Sequence, residues 1–157
     1  MPLERSFVRS AQLAIVLMAL TLAAAWLVFS QPTFPMRIVN PRTLDESGKP
    51  KATFRRGELV LVEATVDCPF TYYAPPEYRF LYIVKFQDPN LVTFYYGVVY
   101  GKLSPGQSAT FAVGGKIPDN APTGTYTAYI YVWSNWPAYE KPTAYADAVS
   151  VTFTVQP

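Results

Sequence analysis

The sequence predicts an all-β fold, an antiparallel sandwich of seven or eight strands, preceded by one N-terminal hydrophobic helix. Three observations lead to this prediction. Runs of alternating apolar and polar residues recur along residues 36–157, as expected for half-buried strands. Turn-forming residues separate these runs, and the 157-residue chain contains 15 Pro and 8 Gly. Tyr and Phe, which favour strands, number 12 and 10, whereas no helix-period segment stands out beyond residue 30.

Residues 11–30 are predicted to be a transmembrane anchor or a signal segment, and a short basic tail, residues 1–10, precedes them. Residues 11–29 contain no charged side chain. As a helix they would be about 28 Å long at roughly 1.5 Å per residue, close to the thickness of the hydrocarbon core of a bilayer. Prolines at positions 32 and 35 end this helix, so residues 31–35 are predicted to be a linker.

Three interpretations of the N-terminal segment are open. A retained single-span anchor would hold the protein in the membrane through residues 11–29. A cleaved secretory signal would have its apolar core at residues 13–22 and a small-residue cleavage site at residues 23–25 or 28–30. A pilin-type leader would be cut after Ser10 and leave the helix to assemble a filament. All three place the domain outside the cytoplasm, because the basic tail stays inside.

The β-sandwich domain is predicted to span residues 36–157. Residues 36–40 predict an edge strand closed by Pro41, and residues 52–55 predict a short second segment. Residues 58–67 alternate strictly, so one face of that strand is expected to lie in the core. The residues of that face are Val60, Val62, Ala64 and Val66.

The next segment, residues 78–88, alternates an apolar set with a set that contains the charged side chains. The apolar set is therefore expected to face the core, and it consists of Tyr78, Phe80, Tyr82, Val84 and Phe86. Residues 91–100 predict the following strand, with Gly97 as a bulge, because glycine inside a strand often marks one. Residues 109–113 predict a further alternating strand.

The segment at residues 122–133 shows the clearest alternation in the chain. Successive side chains of a strand point to opposite faces. One face therefore carries a set suited to a core, namely Tyr126, Ala128, Ile130 and Val132. The opposite face carries an aromatic set that includes Tyr129, Tyr131 and Trp133.

The last predicted strand places a carboxylate on its apolar phase. Asp147 shares that phase with Tyr145, Val149, Val151, Phe153 and Val155. A buried carboxylate needs a hydrogen-bond partner or a shifted pKa. We therefore expect Asp147 at an end of the sandwich, where a backbone amide, a tyrosine hydroxyl or water can meet it.

One turn motif resembles immunoglobulin-like domains. Residues 124–128 (GTYTA) are similar to their tyrosine corner, in which the tyrosine lies two residues before the second core cysteine. Ala128 occupies the place of that cysteine, and residues 58–67 contain no cysteine. An antibody-type domain is therefore excluded, while the sandwich prediction is retained.

The order of several motifs resembles bacterial and archaeal surface immunoglobulin-like modules of the CARDB-like kind. The motifs are residues 54–58 (FRRGE), residues 103–107 (LSPGQ) and residues 122–126 (PTGTY). The resemblance spans residues 36–155 and implies an immunoglobulin-like antiparallel β-sandwich. An N-terminal span joined to one such sandwich also resembles the archaellum stator proteins of archaea.

The composition argues against several classes of function. The chain has no histidine, which removes the commonest general base and the commonest metal ligand. Its acidic residues form no recognisable motif, and Asp45 and Glu46 lie in a predicted turn. The net charge is +2 without a basic run, so nucleic acid is not an expected partner. We therefore expect no enzymatic activity, no cofactor, no metal site and no small-molecule substrate.

Cys68 is the only cysteine in the chain, so no internal disulfide can form. It follows a predicted strand, and we interpret it as a small, partly buried hydrophobic residue. A reactive or intermolecular thiol is the alternative.

Tyr129, Tyr131, Trp133 and the nearby Trp136 form the candidate partner surface. Tyr and Trp are the residues most often found at binding hot spots, and three of them share one face of a strand whose other face suits the core. The alternative is that a neighbouring strand or the loop at residues 69–76 covers them, or that they stabilise the sheet as cross-strand pairs.

Together these features favour a non-enzymatic protein that is held in the cell membrane by residues 11–29. Its β-sandwich would lie outside the cytoplasm and bind a protein or glycan of the envelope, or a second copy of itself. A secreted or pilin-like subunit of a surface filament is the first alternative. An accessory subunit of a membrane protein complex is the second.

Overall fold

The computed structural model describes residues 34–69, 74–136, 138–139 and 141–157. The described residues form eight strands and no helix. The strands are β1 (Arg37–Leu44), β2 (Thr53–Arg55), β3 (Leu59–Asp67), β4 (Tyr78–Gln87), β5 (Thr93–Leu103), β6 (Ser108–Lys116), β7 (Gly124–Trp133) and β8 (Val149–Gln156).

The predicted N-terminal helix, residues 11–29, lies outside the described residues. In the part of the chain that the structure describes, no helix has the length and apolarity needed to cross a membrane.

The strands are arranged in two sheets. One sheet has three antiparallel strands in the order β1-β3-β6, and the other has five strands in the order β2-β8-β7-β4-β5. Within the larger sheet the short β2 runs parallel to β8, and the remaining neighbours are antiparallel. The prediction of an all-β sandwich is therefore confirmed, with one parallel pair that the sequence did not indicate.

The core lies between the two sheets and contains the predicted apolar faces. The inward face of β3 is fully buried at Val60, Val62, Ala64 and Val66. The inward face of β4 is buried from Phe80 to Phe86, while Tyr78 at its start is half-buried. On β7, the neighbour of β4, the buried residues are Tyr126, Ala128, Ile130 and Val132. The alternation of the sequence thus correctly assigned the core faces of all three strands.

The first strand does not end at Pro41 as predicted, because β1 continues to Leu44. Its pairing with β3 shifts register between Val39 and Arg42, and Asn40 adopts a positive φ of 53°. The irregularity places Pro41 where no ladder hydrogen bond is required of it. Proline is tolerated at bulges and on edge strands for this reason.

Gly97 is not a bulge, because it pairs in regular register with Val84, and the irregularity of the β4–β5 ladder lies between Phe86 and Gln87. Glycine is required at position 97 for another reason. A Cβ at position 97 would overlap the side chain of Val113 on β6. Close approach of β6 to β5 therefore requires glycine there.

Asp147 is exposed, so the expectation that it occupies the buried phase of the last strand is wrong. The strand β8 begins at Val149, after an irregular segment. In that segment the amide of Tyr145 donates to the carbonyl of Val132, and Ala146 is buried instead. The break in the strand before Val149 interrupts the alternation and leaves Asp147 in solvent.

Two fully buried tyrosines differ in how their hydroxyl groups are satisfied. The hydroxyl of Tyr126 donates to the carbonyl of Pro122 at 2.7 Å, which is the hydrogen bond of a tyrosine corner. The hydroxyl of Tyr82 finds no partner among the described residues. Burial, followed by the charge of Glu63, raises the pKa of Tyr82, while the backbone of Ala64, which lies near the hydroxyl but outside hydrogen-bond geometry, opposes this shift.

We predict that Ile130→Ala lowers the free energy of unfolding by about 2–5 kcal/mol, because it removes a fully buried aliphatic side chain and leaves a cavity. Thr127→Ala on the same strand is the control. Thr127 lies on the opposite face and is half-buried, so its loss should cost less than about 1 kcal/mol. Denaturant melts of residues 31–157 measure both values, and equal effects would contradict the assignment of the two faces.

We also predict that Tyr126→Phe and Tyr82→Phe differ in their effect on the free energy of unfolding. Tyr126→Phe removes a made hydrogen bond and should cost about 0.5–1.5 kcal/mol. Tyr82→Phe removes a buried hydroxyl without a partner, so stability should stay unchanged or rise by up to about 1–3 kcal/mol. Both substitutions remove one oxygen from a fully buried ring, and thermal melts of the two variants compare them directly. A larger loss for Tyr82→Phe would contradict this account.

Candidate partner surface

The candidate surface is the outer face of the five-stranded sheet, which points away from the core. Tyr129, Tyr131 and Trp133 project from β7 on this face, and all three are half-buried. In the β4–β7 ladder they lie opposite Lys85, Ile83 and Leu81, respectively. The predicted strip therefore exists as a row along β7, beside the central strand β4.

The strand β5 adds a second row of aromatic residues on the other side of β4. Tyr96 lies opposite Lys85 and Tyr100 lies opposite Leu81. Tyr96 is 55% exposed and Tyr100 is 76% exposed. These two tyrosines were not among the residues predicted for the surface, although they share a phase with Val98 in the predicted strand at residues 91–100.

Two aliphatic residues are buried between the aromatic rows. Leu81 and Ile83 belong to the outward phase of β4, which the sequence assigned to the charged side because of Arg79 and Lys85. Their exposed fractions are nevertheless only 2% and 4%. Aromatic side chains of the flanking strands cover them, so the outer face has a small apolar layer of its own.

Trp136 joins the two aromatic rows. It follows β7 in a turn, where its carbonyl accepts a hydrogen bond from the amide of Tyr139. Its indole Nε1 donates to the hydroxyl of Tyr100 at 3.4 Å. This contact spans the width of β4, and the structure therefore brings Trp136 to the same surface as Tyr131 and Trp133.

Two open grooves lie on this face. The first, here named the aromatic groove, has a volume of about 520 Å³ and is lined by Ile83, Tyr96, Tyr131, Trp133 and Trp136. The second, here named the basic groove, has a volume of about 570 Å³. Its lining includes Arg79, Leu81, Tyr100, Lys102, Ser134 and Asn135. The aromatic groove thus offers flat apolar rings, and the basic groove offers donors and positive charge.

Among the residues that the structure describes on this surface, cations outnumber carboxylates. Arg79 and Lys102 both contact the carboxylate of Glu77, at 3.1 Å and 3.4 Å. The ammonium of Lys85 lies 4.6 Å from the centre of the Tyr129 ring, a cation–π distance. In these contacts, three cations therefore accompany one carboxylate.

The ionisation of the surface follows from these contacts. The hydrogen bond from Arg79, together with Lys102, lowers the pKa of Glu77, so this group stays a carboxylate down to acidic pH. Burial, followed by the neighbouring Tyr129, raises the pKa of Tyr131. Its hydroxyl is therefore neutral at physiological pH and able to donate a hydrogen bond.

The remaining sequence candidates lie elsewhere and have structural roles. Cys68 is fully buried, and burial followed by the charge of Asp67 raises its pKa, so it is a poor nucleophile. The carboxylate of Asp45 accepts hydrogen bonds from the amides of Ser47 and Lys49 and from the Ser47 hydroxyl, which fixes a turn. Residues 34–69, 74–136, 138–139 and 141–157 contain no group of three or more potential ligands from Cys, Asp and Glu that could hold a metal.

Comparison with known proteins gives similarity in fold. No protein-family model and no curated protein match the sequence. The crystal structure of the C-terminal domain of Wzt is similar with a TM-score of 0.63 at 10% identity, covering 80% of this chain and 75% of that one. The DNA glycosylase AlkC from Pseudomonas fluorescens, bound to DNA with an abasic site analogue, is similar with a TM-score of 0.54 at 12% identity. That match covers 79% of this chain and 31% of AlkC. At these identities the likeness shows the β-sandwich alone.

Proposed function

We propose that this chain is a non-enzymatic, membrane-anchored protein whose immunoglobulin-like sandwich lies outside the cytoplasm and binds a partner at the cell envelope. The observation that supports binding most directly is the aromatic groove, with the exposed Tyr100 beside it. A contiguous apolar surface on a soluble domain tends to mark an interaction site, and Tyr and Trp dominate binding hot spots.

The strand arrangement supports an immunoglobulin-like class for the sandwich. The chain crosses from one sheet to the other between β3 and β4 and crosses back between β5 and β6. The tyrosine-corner hydrogen bond of Tyr126 lies at the start of β7, the strand before the last. Immunoglobulin domains have their corner at the start of their own penultimate strand.

The carboxylates support a role without catalysis, because many of them are engaged in structural contacts. Asp67 and Glu63 pair with arginines of β1, and Glu58 pairs with Lys51. Asp88 accepts hydrogen bonds from the amides of Asn90 and Val92 in the β4–β5 turn. With histidine absent from the chain, binding is a better-supported role than acid–base chemistry.

The anchor is supported by the uncharged stretch at residues 11–29. A secreted or pilin-like filament subunit is the first alternative, and an accessory subunit of a membrane protein complex is the second. A secreted chain and a pilin-like chain would both be cleaved near the N-terminus, so the N-terminus of the native chain separates the anchor from these two cleaved forms.

We predict that the native protein stays in the membrane pellet after an alkaline carbonate wash, because a hydrophobic helix long enough to span the bilayer resists such extraction. N-terminal sequencing of the same fraction should begin at Met1 or Pro2. A start at Trp26 or Gln31 would favour secretion, and a start at Ala11 would favour the pilin-type route. Release of the uncleaved chain by the wash would contradict the anchor.

We predict that Trp136→Ala and Tyr131→Ala each weaken binding to isolated cell envelopes at least about tenfold, as hot-spot truncations do. Trp136→Ala should lower the free energy of unfolding by less than about 1 kcal/mol, because Trp136 lies outside the strands. Tyr131→Ala should cost more, about 1–2 kcal/mol, because Tyr131 is half-buried beside Ile83. Thr152→Ala is the matched control, since Thr152 is an exposed outer-face residue of β8. Cosedimentation and thermal melts provide the two readouts.

A large loss of stability with binding intact would mean that the aromatic rings serve the fold alone. Unchanged binding in both aromatic variants would overturn the proposed role of the aromatic groove.

A further inference from the structure

The outer edge of β5 has no pairing strand within the described part of the chain, because β5 is the last strand of its sheet. An unpaired edge presents a row of backbone donors and acceptors that pair readily with another strand. Natural sheets protect such edges with short strands, bulges, charges or proline. The edges of this sandwich differ in how far they follow that rule.

The other edge strands are protected. The edge strand β1 contains Pro41 and a register shift, and its arginines pair with carboxylates of β3. The edge strand β2 has only three residues. The edge strand β6 ends in two glycines, which are poor strand formers, followed by the charge of Lys116.

The edge strand β5 lacks this protection along most of its length. It has 11 residues, and its central stretch, residues 95–101 (YYGVVYG), contains neither a charge nor a proline. An uncharged stretch of high β propensity on an exposed edge is an aggregation hazard. Pairing with one defined strand removes that hazard.

The central stretch of β5 is complementary to itself in the antiparallel direction. With Val98 on the twofold axis, Tyr96 lies opposite Tyr100 of the partner subunit. On the other phase, side chains of the same chain already fill the space beside Gly97 and Gly101, so the pairing of the two tyrosines carries the complementarity. Aromatic pairs across neighbouring strands are stabilising.

The single charge of β5 also favours this direction. Lys102 lies near the C-terminal end of the strand. Antiparallel pairing places the two Lys102 side chains at opposite ends of the ladder, whereas parallel pairing would bring like charges together. Opposed like charges in neighbouring strands are destabilising.

From this edge and its symmetric pattern, we propose that two copies of the chain form a twofold-symmetric dimer by antiparallel pairing of β5 with β5, centred on Val98. The two five-stranded sheets become one continuous sheet, and the two aromatic grooves come to lie on one face. This dimer goes beyond the proposed function, because it forms without an external partner.

Cysteine cross-linking of the full-length chain in membranes tests the register. Directly opposed residues of an antiparallel pair have Cα atoms about 4.5–5.5 Å apart, within the range of about 4.4–6.8 Å that a disulfide needs. Val98→Cys should therefore form a disulfide-linked dimer under mild oxidation. Tyr100→Cys is the matched control, because in this register it lies opposite position 96 and should stay monomeric. The native Cys68 is buried and should not contribute.

The double variant Tyr96→Cys with Tyr100→Cys should restore cross-linking, because it supplies both members of an opposed pair. A monomeric Val98→Cys chain would overturn the proposal. Equal cross-linking of Tyr100→Cys would overturn the register, and with it the argument from self-complementarity.

A charge test, made in the Val98→Cys chain, confirms the pairing independently. Tyr96→Lys with Tyr100→Lys opposes lysines across the interface and should slow cross-linking at least tenfold. Tyr96→Lys with Tyr100→Glu opposes lysine to glutamate and should keep cross-linking near the original rate. Both variants change the same two exposed positions, so a folding defect would affect them alike. Equal rates in the two variants would overturn the proposal.

The proposed dimer and the proposed envelope binding can be tested independently with one variant. Trp136→Ala should leave the cross-linking of Val98→Cys unchanged while it weakens envelope binding. Loss of cross-linking in Trp136→Ala would show that the aromatic groove, and not the β5 edge, holds the copies together, and this would overturn the proposed interface.

Discussion

The pleat of β7 is the constraint on which the rest of this structure depends. Each side chain of a strand must point to one face or the other, and the core between the sheets accepts Tyr126, Ala128, Ile130 and Val132. The residues between them must therefore point to the outer face, where Tyr129 and Tyr131 lie beside β4. The aromatic character of the outer face is thus a direct consequence of how the core is filled. A change of register by one residue would bury the hydroxyl-bearing face and expose the core face.

Alternation made the core faces of β3, β4 and β7 predictable, because burial between two sheets repeats every second residue. The features that the sequence did not predict correctly depend on contacts between residues far apart in the chain. Strand β1 passes Pro41 because β3 pairs with it on both sides of the irregularity. Asp147 does not share the buried face of β8, because β8 begins only at Val149 and the preceding segment is irregular. The partnership of β2 with β8 joins residues about one hundred positions apart, and no local pattern encodes it.

The candidate surface was only half predictable for the same reason. The sequence identified Tyr131 and Trp133, which lie on one strand, and Trp136, which is close in the chain. It did not associate them with Tyr96 and Tyr100, because that requires knowing that β4 lies between β5 and β7. Periodicity also misassigned the environment of Leu81 and Ile83. The charged residues of that phase correctly predicted that it faces away from the core. Leu81 and Ile83 are nevertheless buried there, because aromatic rings from the two flanking strands cover them.

The buried aliphatic pair explains why the outer face can be rigid as well as apolar. Aromatic rings that pack over Leu81 and Ile83 lose less conformational freedom on binding than rings that project freely into water, and preorganisation of this kind raises affinity. The cations contribute differently. Arg79 and Lys102 share one carboxylate, Glu77, and lie at the exposed margin, where salt screens them within about 8–10 Å. Charges so placed affect the choice of partner and the rate of encounter more than the final affinity. In the proposed function, the aromatic groove would therefore set how tightly a partner is held, and the basic groove would favour partners that carry negative charge.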